Sequence, residues 1–313
     1  MTGEVPFDGR TQAGTALAAA YAHCRAIARR EAKNFYYAFV ALPAAQRNAI
    51  CAIYAFMRQA DDLADDESIS REERRVRLDA WLADWHGDCQ GGDSGNRVFL
   101  AVRDAVERFA IPPSLLDELV GGVTMDLKPE ASDAPDTYTT FADLYRYCYL
   151  VASVVGLVCI RIFGYKDSRA EKLAEETGIA FQLTNILRDV AEDAARNRVY
   201  LPLEDLAAHG VSLNSLLHRA TGAPPTASER ALLAEIAARA EKFYDSAQAL
   251  MPLIDRESRP ALRVLVAIYH GLLKQIERAD YDVFSRRVSV PMAEKLGILA
   301  VGLARMAWAR LIG

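Results

Sequence analysis

The sequence predicts an all-α fold, and three observations carry that prediction. Ala, Leu, Arg and Glu, which are strong helix formers, dominate nearly every segment. Period-two alternation of β-branched residues is almost absent. Helix breakers fall in discrete places: Pro43, GDCQGGDSGN (87–96), Pro112-Pro113, PEASDAPD (129–136), Pro202 and TGAPPTAS (221–228). Helices are therefore expected near 14–31, 44–66, 70–87, 96–110, 113–127, 138–163, 167–195, 226–251, 257–284 and 290–312. None of the breaks is long enough for an inter-domain linker, and there is no internal repeat. One domain over 1–313 is expected, with 1–13 as a flexible N-terminal segment.

Composition narrows the function classes. The chain has 313 residues with 51% hydrophobic composition, ample for a large core. A formal net charge of −5 gives no global basic signal, so no nucleic-acid partner is expected. Five cysteines (24, 51, 89, 148, 159) lie scattered without a CxxC or Cys/His pattern, which suits a reducing cytoplasm. The start, MTGEVPFDGRTQAG, lacks the basic-then-apolar layout of a signal peptide. VASVVGLVCI (151–160) and LGILAVGLA (296–304) both fall short of the roughly 20 apolar residues that span a bilayer. No transmembrane helix is expected on that count. The last segment, AEKLGILAVGLARMAWARLIG (293–313), reads either as a closing bundle helix or as a weak membrane-surface attachment, with Trp308 beside Arg305 and Arg310.

The helix over 44–66 is apolar nearly all round from Ala49 to Met57, which marks it as buried. It runs directly into Arg58 and the cluster Asp61, Asp62, Asp65 and Asp66. At about 3.6 residues per turn, Asp61 and Asp65 share one face, and Asp62 and Asp66 the adjacent one. A second stretch, GIAFQLTNILRDVAEDAARNRVYLP (178–202), repeats the logic. Asn185, Asp189 and Asp193 fall at i, i+4 and i+8, giving one stripe of two carboxylates and an amide oxygen. These hard ligands suit Mg²⁺ sharing phosphate oxygens with a substrate, with Mn²⁺ as the alternative ion. Arg188 and Arg198 flank the second stripe and could grip diphosphate oxygens. One acidic run alone reads as a solvated face. Two runs on buried helices, each with a guanidinium nearby, read as carboxylate walls facing across an apolar cavity. Such a site would ionise an allylic diphosphate and keep the carbocation dry.

Trp81 and Trp85, spaced i, i+4, read as core, and the five histidines do not cluster. The small residues Ala152, Ser153 and Gly156 suit either a lipid tail or close helix packing.

Three motifs carry a family resemblance. YAFMRQADDLADD (54–66), YRYCYLVASVVGL (145–157) and QLTNILRDVAEDAARNRVYLP (182–202) resemble the signature motifs of the squalene/phytoene synthase family. The likeness runs in order from NFYYAF near residue 30 to ADYDVFSRRVSV near residue 290. It implies an isoprenoid synthase fold, a helical bundle around a central cavity, and head-to-head condensation of two prenyl diphosphates. By position, it implies Asp61, Asp65, Asn185, Asp189 and Asp193 as Mg²⁺ ligands and Arg58, Arg188 and Arg198 as diphosphate contacts. Tyr269 and one of Arg286 or Arg287 look like further diphosphate contacts. Tyr54 and Gln182 would line the site, and Phe35 and Phe39 resemble the aromatics that shield the cation. Tyr54, Phe35 and Phe39 read equally well as ordinary core. Tyr147 stands where the family places a tyrosine near the reacting carbons, a candidate for proton handling.

The stretch YLVASVVGLVCIRIFGY (149–165) looks most like bacterial presqualene diphosphate synthases, so two farnesyl diphosphates are the expected substrates. Phytoene synthesis from geranylgeranyl diphosphate is the alternative. No GxGxxG or strand pattern for a dinucleotide fold is present, but reducing members of the family bind NADPH without one, so NADPH use stays open. A non-catalytic helical assembly protein would be expected to have lost carboxylates, and all five proposed ligands are here. The tyrosine motif and NILRD argue against a terpene cyclase or a head-to-tail synthase.

Overall fold

Helices make up nearly all the regular structure of the computed structural model. It describes residues 9–125, 127, 135–219 and 222–291, then 293–294, 297–298 and 300–301; the side chains of 9–13, 33–35 and 37 lie outside that set. In chain order the helices are α1 (Gly9–Glu31), α2 (Lys33–Val40), α3 (Ala44–Ala64), α4 (Arg71–Cys89), α5 (Arg97–Arg108) and α6 (Pro113–Thr124). A continuous helical run follows: α7 (Phe141–Cys148), a π-helical turn (Tyr149–Ser153) and α8 (Val154–Phe163). Then come α9 (Arg169–Ala195), the short α10 (Leu203–Ala208) and α11 (Leu213–Leu217), α12 (Ala227–Leu250) and α13 (Arg259–Arg278).

The ends are set by local chemistry. Ser70 and Asn96 accept backbone N–H bonds from Glu73 and Val98 at the starts of α4 and α5. Thr140 with Asp143, and Thr226 with Glu229, form capping boxes at α7 and α12. Proline opens α6 and α13, where its missing N–H costs nothing.

Several expectations shift. Helix α2 lies in a stretch read only as motif, and α10 and α11 are too short to show periodicity. The helix expected over 257–284 stops at Arg278, because Asp280 and Tyr281 adopt left-handed φ of 52° and 59°. The helix expected over 290–312 falls mostly outside the described residues, as do Arg305, Trp308 and Arg310. The helical run Phe141–Phe163 is long and apolar enough to cross a membrane, contrary to the count of uninterrupted apolar residues. Its apolar faces are used inside the protein, against α6, α9 and the cavity described below.

Two apolar clusters build the core. One gathers α1, α3, α5, α6 and α8. It includes the ring cluster of Phe56, Trp81, Trp85 and Phe99, with centroids 4.7–6.1 Å apart, so both tryptophans are core as expected. The other gathers α7, the C-terminal half of α9, α12 and the end of α13. Tyr149, Phe181 and Val266 touch both.

A two-residue parallel ladder pairs β1 (Asp136–Thr137) with β2 (Arg198–Val199). It ties the entry to α7 to the exit from α9.

The run α7–α8 packs against α9 so closely that glycine is required. A Cβ on Gly178 would lie 2.5 Å from the Ser153 Cα. Gly178→Ala is expected to cost about 1–3 kcal/mol of stability through overpacking. Gly121→Ala, with nothing within 4 Å of its Cβ, should be neutral or slightly stabilising. Urea unfolding of both variants checks the contrast; equal stabilities would mean that the α8–α9 contact yields freely.

Candidate active site

Helices α3 and α9 make no substantial direct packing contact among the described residues. A cavity of about 220 Å³ lies between them instead. On α3 its wall is Ile50, Ile53, Tyr54 and Met57; on α9 it is Ala174, Thr177, Gly178, Phe181, Gln182 and Asn185. Both sets follow the i, i+3, i+4 spacing of one helical face. Continued by one turn, the α3 stripe reaches Asp61 and the α9 stripe reaches Asp189. Each helix therefore carries a single stripe, apolar where it walls the cavity and acidic where it leaves it. Phe39 and Tyr269 add to the lining, which continues onto α8 and α13.

The structure sorts the first acidic cluster as the face analysis did. Arg58 forms an ion pair with Asp62. Asp66 accepts the Ser68 backbone N–H at 3.1 Å and the Ser68 hydroxyl, so it shapes the turn after α3. Asp61 is half-buried, and Asp65 is exposed at the C-cap of α3, its N–H donating to the Asp61 carbonyl at 2.8 Å.

On α9, Asp189 accepts from Arg188 Nε at 2.8 Å and from Arg287 at 3.0 Å. Arg287 also lies 3.3 Å from Glu192, whereas Arg286 is exposed beside Asp282. Of this arginine pair, Arg287 is the one that reaches Asp189. Asn185 hydrogen-bonds the Tyr269 hydroxyl, and its amide reaches Gln182 Oε1 at 3.5 Å. Tyr269 stacks on Phe181 at 4.4 Å, and burial pushes its phenol up to about 12.

Tyr147 and Arg198 are placed away from the large cavity. Ladder register sets Asp136 opposite Arg198 and Thr137 opposite Val199, so the next residues, Tyr138 and Tyr200, come side by side. Tyr147 stacks on Tyr200 at 4.9 Å and contacts Tyr138 at 5.4 Å. Tyr200, Arg198 and Asp193 line a second, much smaller pocket of about 10 Å³. Arg198 Nε also lies 3.9 Å from Asp136. The Asp193 carboxyl is pushed up to about 6, first by burial and then by repulsion from Asp189, against the pull of Arg198 and Arg196. The Phe35 side chain lies outside the described residues.

No group of three or more His, Cys, Asp or Glu is gathered for a metal among the described residues. The donors still fit Mg²⁺. Asp61, Asp65, Asn185 and Asp189 offer hard oxygens on two facing helices, and Asp193 adds a carboxyl raised first by burial and then by Asp189. An ion that keeps its waters and shares a diphosphate needs no preformed protein cage.

Residues 28–294 match the family model described as squalene/phytoene synthase. The chain belongs to this family. It is 35% identical over 292 residues to the phytoene synthase of Mycobacterium tuberculosis, covering 93% of this chain and 92% of the relative. It is 35% identical over 300 residues to the chloroplastic phytoene synthase 3 of Zea mays, and spans 66% of that longer protein. Among solved structures, a dehydrosqualene synthase crystallised with a ligand is similar with a TM-score of 0.80 and 27% identity, over 94% of this chain and 99% of that one. The fold is therefore the isoprenoid synthase fold, and the activity of the family is head-to-head condensation of prenyl diphosphates.

Sequence reasoning missed much of the hydrocarbon wall. Val151, Val155, Cys159 and Phe163 line the cavity at strict four-residue spacing, a signal that was present but indistinguishable from a core face. The small-residue patch divides: Ala152 and Gly156 line the cavity, while Ser153 is fully buried and donates to the Glu175 carbonyl at 2.6 Å.

Asp193 gives a prediction with a definite sign. Its folded-state pKa, about 6, lies above the ordinary carboxylate range, so the folded chain holds the proton more tightly. Its penalty is absent below about pH 4, grows through pH 4 to 6 and is full above that. Asp193→Asn should stabilise the metal-free protein by about 1–2 kcal/mol at pH 7.5, discounted for screening, and by nothing near pH 3.5. Urea melts of variant and parent at both pH values check this; a pH-independent difference would assign the effect to packing.

Proposed function

We propose that this chain condenses two geranylgeranyl diphosphates head to head to form phytoene. The observation that carries this is 35% identity to the Mycobacterium tuberculosis phytoene synthase over nearly the full length of both chains. It moves the substrate from the farnesyl diphosphate expected from the sequence to the twenty-carbon alternative. The farnesyl reading retains the support of the likeness to a dehydrosqualene synthase structure at 27% identity and to a squalene synthase structure at 26%.

In the proposed reaction the C1–O bond of one substrate breaks and its diphosphate departs. The C2–C3 double bond of the second substrate supplies the electron pair for the new bond to C1, and proton loss closes a cyclopropane. The second diphosphate then leaves, the skeleton rearranges, and a final proton loss forms the product. No hydride is consumed, so this reading needs no NADPH. Arg58, Arg188, Arg287 and Arg198 would hold diphosphate oxygens, with Tyr269 behind them. Mg²⁺ bound by Asp61, Asp65, Asn185, Asp189 and Asp193 would supply neutralising charge to the leaving groups. Tyr54, Phe39 and Gln182 would face the reacting chains, and the apolar wall would exclude water from the cation. Tyr147 would handle a proton from the second-motif side of the site, relayed through the departing diphosphate.

Incubation with geranylgeranyl or farnesyl diphosphate and Mg²⁺, with and without NADPH, tests the reading by mass spectrometry. Phytoene from the twenty-carbon substrate without NADPH is expected. A thirty-carbon product alone would overturn the substrate assignment. Asp61→Ala and Asp189→Ala should each abolish turnover with helical circular dichroism retained; activity that survives them and EDTA would remove the metal site. Tyr147→Phe should slow turnover by ~10²–10⁴-fold, and unchanged turnover would return Tyr147 to the aromatic stack.

A further inference from the structure

The far end of the cavity is closed by a rigid junction, and its position fixes how deep a chain can go. Gly156 on α8 lies abreast of Ala174 on α9, its Cβ position 3.0 Å from the Ala174 carbonyl, while Ser153 lies abreast of Gly178. The two helices are therefore antiparallel. Moving away from the carboxylates along α9 means moving toward the C-terminus of α8, where Phe163 is the last lining residue.

Phe163 is held from behind. The fully buried Ser258 hydroxyl donates to its carbonyl at 2.8 Å and lies 3.0 Å from Gln46 Oε1; Gln46 Nε2 reaches the same carbonyl at 3.4 Å. The next residue, Gly164, ends α8 at φ +81°, and a Cβ there would meet the Asp255 carboxylate at 2.2 Å. Its carbonyl accepts from the Asp255 N–H at 2.9 Å, and Tyr165 bridges to Ile254. The end of α8 is thus fastened to the segment joining α12 and α13. The Phe163 side chain, tilted toward the helix N-terminus as all helical side chains are, leans back into the cavity.

The depth follows from helix geometry. Asn185 to Ala174 spans about 16 Å, and Gly156 to Phe163 adds about 10 Å, at ~1.5 Å per residue. With roughly 5 Å returned by the Phe163 side chain, about 20 Å remains. With carbon–carbon bonds of ~1.5 Å, an extended twenty-carbon prenyl chain is about 19 Å long and a fifteen-carbon one about 14 Å. A twenty-carbon chain ends at the ring; a fifteen-carbon chain stops one isoprene unit short.

We propose that Phe163, clamped by Ser258 and Gln46, is the specificity-determining floor that sets the prenyl chain length this enzyme accepts. The inference rests on the proposed prenyl-diphosphate chemistry and deepens it. Cys159, one turn nearer the mouth on the same stripe, is the position from which the floor can be raised.

The test compares farnesyl, geranylgeranyl and geranylfarnesyl diphosphates on the full chain. Phe163→Ala lowers the floor and should improve relative kcat/KM for the twenty-five-carbon substrate by about tenfold or more. Cys159→Phe raises the floor and should shift preference toward farnesyl diphosphate by a similar factor. If Phe163→Ala does not fold, the Cys159→Phe ratio decides alone, because that substitution fills open space. Folded variants that keep the parent's preference overturn the proposal. Thermal shift with the same three diphosphates reads the floor without turnover. A parent that discriminates chain length in binding yet forms no product overturns the proposed reaction and leaves the floor in place. A parent that prefers farnesyl diphosphate overturns the substrate assignment and the depth estimate together.

Discussion

The gap between α3 and α9 is the constraint on which the rest of this structure depends. Two long buried helices would normally close on each other, since interiors pack at the density of organic crystals. Here the facing stripes make no substantial contact among the described residues, and the space between them is walled by α8, α13 and the end of α12. An apolar cavity without partner atoms forfeits dispersion contacts on every wall. The surrounding bundle offsets that loss by dense packing elsewhere, as in the Phe56–Trp81–Trp85–Phe99 cluster and the Gly178–Ser153 contact.

The same geometry concentrates charge. Stripes that line the cavity continue into carboxylates, so closing the hydrocarbon wall also brings acidic side chains to its mouth. The protein answers with guanidinium groups: Arg58 on Asp62, and Arg188 and Arg287 on Asp189. The answer is incomplete at Asp193, whose carboxyl stays well above the ordinary range. A buried, under-neutralised carboxylate lowers the stability of the fold above about pH 6, the kind of cost that proteins carry at functional sites.

The two ends of the cavity differ in kind. Around the mouth, charged groups and an exposed helix cap at Asp65 are open to solvent. At the floor, α8, the α12–α13 connection and Gln46 are locked by buried hydrogen bonds. Adaptable charge at one end and a fixed apolar wall at the other suit a reaction whose leaving groups are released while the chains stay held.

The sequence by itself determined the helical class, the buried character of α3 and α9, and the sharing of faces within each acidic motif. These follow from 3.6-residue periodicity and need no knowledge of distant chain. It also placed Asp61 and Asp65 on one face and Asp62 and Asp66 on the adjacent one; Asp62 pairs with Arg58 and Asp66 accepts from Ser68. Only the tertiary structure decided what depends on pairings across the chain. Tyr147 meets Tyr200 because a two-residue ladder aligns segments some sixty positions apart. Arg287 rather than Arg286 faces Asp189, 98 positions away. The floor at Phe163 exists because Ser258, 95 positions later, takes its carbonyl. Local periodicity says which residues share a face; it does not say what that face meets, and here the opposing surface decides whether an apolar stripe becomes core or cavity.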